Sequence, residues 1–218
     1  MTALDVPIHP GHLGFDIDCV VADTMEAFIR LAAEKHDLVV APEQITEFAV
    51  ENCLPIDPAI INAIFRRLLD EPIKHDLRPM PHAVPVLNQL ARHAPLTFIT
   101  ARPDRPPIFA WLEYLLGPRI MAEARLVAMG DHNGKADHIK ELGISHFIDD
   151  RYETCEELTT HGITAIVFTQ PWNEKRHNLP QVTNWTDIAD LCGLDRPAIN
   201  QQQPVLATPW IARTAVSP

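Results

Sequence analysis

From Leu96 to Cys192 the chain alternates short apolar runs with amphipathic stretches, and this constrains its fold more than any other feature. Residues 96–100, 126–129, 146–148 and 164–168 read as strands. Between them lie helical patterns. Pro106-Pro107 opens a helix that Gly117-Pro118 closes, residues 135–142 and 153–161 form two more, and 186–192 form a last one capped by Gly193. Strands joined by helix-length crossovers pair in parallel, and a parallel sheet needs helices on both faces. Upstream, residues 12–17 read as a short buried strand. Residues 24–36 carry Phe28, Leu31 and Ala32 at helical spacing. Asp57-Pro58 reads as a helix cap followed by proline at the first helical position, leading a helix to about Asp70. Residues 85–93 suggest another helix. The expected class is α/β, a doubly wound parallel sheet.

More than 70 residues separate the first strand from the second, far more than one crossover needs. The surplus, residues 24–79, is expected to be a small helical cap inserted above a core made of 1–23 and 80–195. Residues 196–218 hold Gln201-Gln202-Gln203 and several prolines without periodicity, and are expected to form an extended or disordered tail.

The formal charge of −11 argues against binding a nucleic-acid polymer, which needs a basic face. A small anionic substrate stays open if a metal and local cations overcome the global field. The four cysteines show no CxxC spacing, so a reducing cytoplasm is expected. The first twelve residues do not read as a signal peptide, and no apolar stretch approaches the roughly 20 residues of a membrane span.

Chemistry concentrates at strand ends. Asp16 and Asp18 end the first strand two residues apart, a spacing that points both side chains to one side. Two converging carboxylates beside apolar residues are costly without a cation or a shared proton. Thr100 ends the second strand, Lys135 opens a helix, and Asp149 and Asp150 end a later strand. In open parallel sheets the site lies at the strand C-termini, so these residues share one edge.

This order resembles the haloacid dehalogenase-like superfamily of aspartyl-phosphate hydrolases over about residues 12–195. Phe15-Asp16-Ile17-Asp18, Val20, Ala22-Asp23, Thr100-Ala101-Arg102, Ile148-Asp149-Asp150-Arg151 and Gln170-Pro171-Trp172-Asn173 are together similar to its 5'(3')-deoxyribonucleotidase-like group. The resemblance implies a Rossmann-like core and a Mg²⁺-dependent phosphomonoesterase acting on nucleoside monophosphates. It implies Asp16 as nucleophile and Asp18 as the acid that protonates the leaving oxygen and then takes a proton from water. Thr100 and Ala101 would bind the phosphoryl group, and Lys135 would neutralise it. Asp16, the backbone carbonyl of Asp18, Asp149 and Asp150 would hold Mg²⁺, with the choice between Asp149 and Asp150 as direct ligand open. Four ionised acids carry four negative charges. Mg²⁺ and Lys135 reduce these to one, and a proton on Asp18 removes the last.

Several positions keep two readings. Cys19 stands where this family often has glycine, as a small buried filler or a redox thiol. Asp23 contacts substrate or caps the helix starting near Thr24. Arg102 contacts phosphate or is a solvated loop residue. Lys140 competes with Lys135, whose place after Gly134 at a helix start favours it. Phe48, in a loop of the insertion, is the best candidate to stack on a base, whereas Phe28 and Phe65 read as helix core. The expected partner is a small phosphorylated substrate, with no nucleic-acid polymer or membrane, and with a homodimer left open. Another small phosphate ester is the close alternative substrate. A non-catalytic phosphate-binding regulator is the alternative of another class. A dehalogenase is disfavoured because it needs no acid at the position of Asp18.

Overall fold

Period-two alternation along the strands decides which side chains face which helical layer. The structure, a computed structural model, describes residues 7–131, 133–174 and 176–196. Its six strands are β1 (Leu13–Phe15), β2 (Thr97–Thr100), β3 (Arg125–Ala128), β4 (His146–Asp149), β5 (Thr164–Phe168) and β6 (Gln181–Val182). They form one sheet in the order β3-β2-β1-β4-β5-β6, with every neighbouring pair parallel. The expected doubly wound α/β fold is the one observed.

Phe15, Phe98, Ile148, Ile166 and Phe168 lie on one face of the sheet, and Ile99, Phe147, Ala165 and Val167 on the other. The first face packs against α3 (Ala83–Leu90), α4 (Arg105–Leu116) and α8 (Trp185–Leu191), and its apolar cluster continues into α1 (Thr24–His36). The second packs against α6 (Lys135–Glu141) and α7 (Tyr152–Thr160). Each fully buried large side chain adds about 1.5–3 kcal/mol through removal from water. Gly14 of β1 is a close approach: a Cβ there would lie 2.9 Å from the Phe147 ring. The Lys135 Nζ sits over the same ring, 5.3 Å from its centroid, so any larger residue at 14 would disturb the lysine.

The segment between β1 and β2 holds α1, α2 (Pro58–Asp70) and α3. Phe28 of α1 stacks on Phe65 of α2 at 5.1 Å. The Asp57 carboxylate accepts from the Ala59 N–H, which fixes the start of α2 where the Asp-Pro pair places it. Buried Ile61, Ile64 and Leu68 of α2 join the same apolar cluster as the first sheet face.

Local differences from the sequence reading have local causes. β1 is three residues long rather than six, because the amides of Val20, Val21 and Ala22 all turn back to the Ile17 carbonyl. α3 starts at Ala83, two residues before Pro85, since proline is tolerated within a first helical turn. Two elements escaped the pattern: β6, of two residues, and α5 (Pro118–Glu123), of six. Both are too short for periodicity to register. The tail expected over 196–218 falls, but for Arg196, outside the described residues. Among the described residues no helix is long and apolar enough to cross a membrane.

Candidate active site

Strand order places the site. The chain leaves β1 for β2 and β3 on one side, then returns to β4 on the other, so β1 and β4 flank the point where the winding reverses. Ligand crevices form at that point, outside the strand C-termini. Phe15 pairs in register with Ile148, and the Asp16 N–H donates to the Ile148 carbonyl at 2.8 Å. The next residues, Asp16 and Asp149, therefore end adjacent strands side by side.

Carboxylate oxygens of buried Asp16, Asp149 and Asp150 all lie within 4.8 Å of one another. Lys135 is buried among them, and its Nζ donates to Asp16 Oδ1 and to Asp149 Oδ2, each at 2.6 Å. Burial alone would lower this lysine, but the Asp149 and Asp16 charges outweigh it and hold it above its ordinary value. Burial pushes Asp16 up to about 7, with the Lys135 charge opposing and those of Asp149 and Asp18 adding to it. Burial, then the charges of Asp149 and Asp16, push Asp150 well above the carboxylate range. Such a cluster is strained electrostatically as it stands, which is the situation a bound cation relieves. Lys140, the competing lysine, is exposed on α6.

Asp18 is different. Its carboxylate accepts from Arg102 Nε at 2.9 Å, from Arg102 Nη2 at 2.8 Å and from the Thr24 hydroxyl at 2.6 Å. Burial alone would raise it, but the Arg102 charge and these hydrogen bonds hold it below its ordinary value. The sequence allows Arg102 as a phosphate contact or a solvated loop residue; the structure gives it a third place. It is buried, it clamps both oxygens of Asp18, and its Nη1 donates to the Leu68 carbonyl near the end of α2 at 3.0 Å. The charge balance drawn from sequence omits this residue. With Arg102 counted, four carboxylates face two cations, and the remainder equals the charge of one divalent ion without a proton on Asp18.

These groups line a cavity of about 610 Å³, together with Thr100 and Ala101. Its walls include Met25, Phe48, Val50, Phe65, Leu68 and Pro103. Phe48 is half-buried at the wall, with the Arg151 guanidinium 5.3 Å from its ring centroid. Phe65 serves twice: it packs on Phe28 and lines the cavity, where the sequence suggested helix core only. Leu68 had no sequence signal as a site neighbour, because only the tertiary packing of α2 brings it there.

Asp23 does not line the cavity. Its Oδ1 caps α1 by accepting the Glu26 N–H at 3.2 Å. Burial, partly offset by that amide, pushes its carboxyl up to about 6. From about pH 4 to that value the folded chain holds a proton that the unfolded chain has released, so stability falls as pH rises, and the loss is complete above it. Asn caps a helix as well as Asp. Asp23→Asn is therefore expected to stabilise the protein by about 1–2 kcal/mol near neutral pH and by nothing near pH 4. Urea unfolding at both values measures this, and equal effects at the two would contradict the assignment.

A model of the 5' nucleotidase, deoxy (pyrimidine), cytosolic type C protein family matches residues 11–197. The chain belongs to this family. A protein of Staphylococcus epidermidis with the provisional name 5'(3')-deoxyribonucleotidase is 26% identical over 186 residues, covering 81% of this chain and 92% of that protein. A Staphylococcus aureus protein of the same name is 28% identical over 186 residues, with the same coverage. Among solved structures, a haloacid dehalogenase-like family hydrolase from Streptococcus pneumoniae superposes with a TM-score of 0.53 at 14% identity, covering 82% of this chain and 96% of that one. A HAD-superfamily hydrolase, subfamily IA, from Geobacter sulfurreducens does so with 0.51 at 15% identity, covering 83% and 95%. At these identities the likeness is one of fold. Family and fold together make this chain a phosphatase of the haloacid dehalogenase type.

In this member of the nucleotidase family Cys19 adopts φ 57°, the left-handed region that glycine occupies freely and other residues enter at a cost of about 1–2 kcal/mol. Burial, then the charges of Asp150 and Asp18, push its thiol well up. A raised thiol forms little of the thiolate that redox chemistry needs, which favours the filler reading over the redox one.

Proposed function

We propose that this phosphatase is a Mg²⁺-dependent nucleotidase that hydrolyses nucleoside monophosphates through an aspartyl-phosphate on Asp16. The observation that carries the reading is the meeting of Asp16, Lys135, Asp149 and Asp150 at the winding reversal, beneath an apolar-walled cavity. The oxygen donors and the residual charge of two fit a hard divalent ion. Among the described residues no hydrogen bond falls on Asp16 Oδ2 or Asp150 Oδ1, whereas both oxygens of Asp149 are taken, by Lys135 and by the Arg151 N–H at 2.9 Å. This supports Asp16 and Asp150 as direct ligands, with Asp149 orienting the lysine. When bound, the ion supplies positive charge to the phosphoryl oxygens.

Asp16 attacks phosphorus while the ester P–O bond breaks and Asp18 gives a proton to the leaving oxygen. Asp18 then takes a proton from water, whose oxygen displaces Asp16 from phosphorus and frees inorganic phosphate. Lys135 and Thr100 offset charge on the phosphoryl group. The Arg102 clamp keeps Asp18 ionised, which suits the second step; in the first, Asp18 must exchange Arg102 for a proton. Residues 24–79 act as a cap, with Phe48 and Phe65 offering apolar surface to a base. The names of the staphylococcal relatives support a deoxynucleotide.

Phosphate release from nucleoside monophosphates and sugar phosphates, with Mg²⁺ or with EDTA, tests the reading. Nucleotides are expected to exceed ribose 5-phosphate by at least about tenfold in kcat/KM, the scale of one well-filled apolar subsite, and EDTA to abolish turnover. Hydrolysis of sugar phosphates alone would overturn the substrate, and phosphate binding without any hydrolysis would overturn the catalyst.

A further inference from the structure

The Gln170-Pro171-Trp172-Asn173 segment after β5 takes no part in the chemistry above, yet Gln170, Trp172 and Asn173 are all buried and their side chains hydrogen-bond to Asp150 and to the loop after β1. The Trp172 indole Nε1–H donates to Asp150 Oδ2 at 3.0 Å. Asn173 Nδ2 donates to the Asp150 carbonyl at 2.7 Å and to the Phe168 carbonyl at 2.8 Å, while its Oδ1 accepts the Gln170 N–H at 2.9 Å. Gln170 Nε2 reaches across to the Cys19 carbonyl at 2.7 Å, in the loop that follows Asp16 and Asp18. One short segment thus braces both the strand end that carries Asp150 and the loop after β1.

We infer that Trp172 is a positioning residue for the divalent cation: its indole N–H holds one oxygen of Asp150 and so aims the other, Oδ1, at the space shared with Asp16. The inference rests on the cation reading of Asp16 and Asp150 given above. The physical reason is rotational. A free carboxylate turns about its terminal torsion over a broad range, and a donor on one oxygen removes that freedom before the ion arrives, so less ordering is left to binding. Outer hydrogen-bond partners of metal ligands act this way, and their loss costs about ten- to a hundredfold in metal affinity. Phenylalanine keeps much of the ring and removes the donor. Histidine has less volume, but its Nε2 stands at the ring position of the indole Nε1 and restores a donor.

Mn²⁺ binding to the metal-free protein, measured by calorimetry and by the EPR signal of free Mn²⁺, reads the effect without turnover. Trp172→Phe is expected to bind Mn²⁺ about ten- to a hundredfold more weakly than wild type, and Trp172→His to recover most of that loss. Wild-type affinity in Trp172→Phe, or equal weakness in the two variants, would overturn the positioning role, since the loss would then follow ring volume and not the donor. Asp150→Asn separates the two readings: wild-type Mn²⁺ affinity in that variant would overturn the cation site itself. Should Trp172→Phe fail to fold, the wild-type Mg²⁺-loaded protein carries the test. Its Trp172 indole N–H is expected to exchange slowly with D₂O by NMR, and exchange as fast as that of free tryptophan would overturn the inference.

Discussion

Asp16→Asn is expected to reduce phosphate release by at least about a thousandfold, to background, in steady-state assays with Mg²⁺ and a nucleoside monophosphate. The amide cannot attack phosphorus, and the site loses one of the two oxygens of the acid cluster that accept no hydrogen bond among the described residues. Stability should move the other way. Burial raises the Asp16 carboxyl to about 7, so near neutral pH the ionised form is a cost to the fold. An amide in its place carries no charge and still accepts from Lys135. The melting temperature of the metal-free variant is therefore expected to equal or exceed that of wild type, which separates a lost nucleophile from a lost fold. Residual turnover within tenfold of wild type would end the assignment of Asp16.

Lys135→Met is expected to damage both properties. Its Nζ is the cation within hydrogen-bond reach of Asp16 and Asp149, at 2.6 Å from each. Methionine fills much of the space but leaves two buried carboxylates without a partner charge. Removing one side of a buried ion pair costs about 3–5 kcal/mol. The sign of its pH dependence follows. Without the lysine the folded-state value of Asp16, already raised, rises further, the folded chain binds more protons than the unfolded one, and the loss deepens as pH rises from about 4 to neutrality. Turnover is expected to fall by about 10²–10³, the scale of one charge-stabilising donor at a reacting centre. Mg²⁺ should restore part of the melting temperature and little of the turnover, because it can replace the charge and not the contact. A variant as stable as wild type at every pH would show that the lysine does not hold the carboxylates in place.

Local signals were strong where chain neighbours decide the outcome. The Asp57-Pro58 cap and the run to Asp70 mark α2 to the residue, and the β-branched core of residues 164–168 marks β5. The acids, the threonine and the lysine were legible because each sits at an element end, where apolar pattern gives way to polar. Arg102 was not legible. Its partners Asp18 and Leu68 lie 84 and 34 residues away, and nothing around it in the chain distinguishes a clamp from a solvated loop. Trp172 failed for the same reason. Its ring suits packing in any fold, and only the placement of β5 beside β4 brings its N–H to Asp150.

By itself the sequence determined the class of the fold and the residue types gathered at one edge of it, because periodicity and element ends are properties of chain neighbours. The tertiary structure alone decided which charges cancel. The β1–β4 register sets Asp16 beside Asp149 and so places Lys135 between them. The approach of α2 to the loop after β2 gives Asp18 to Arg102. Electrostatic energies inside a protein vary with distances of a few ångströms and with burial, and neither quantity is written in the order of the residues.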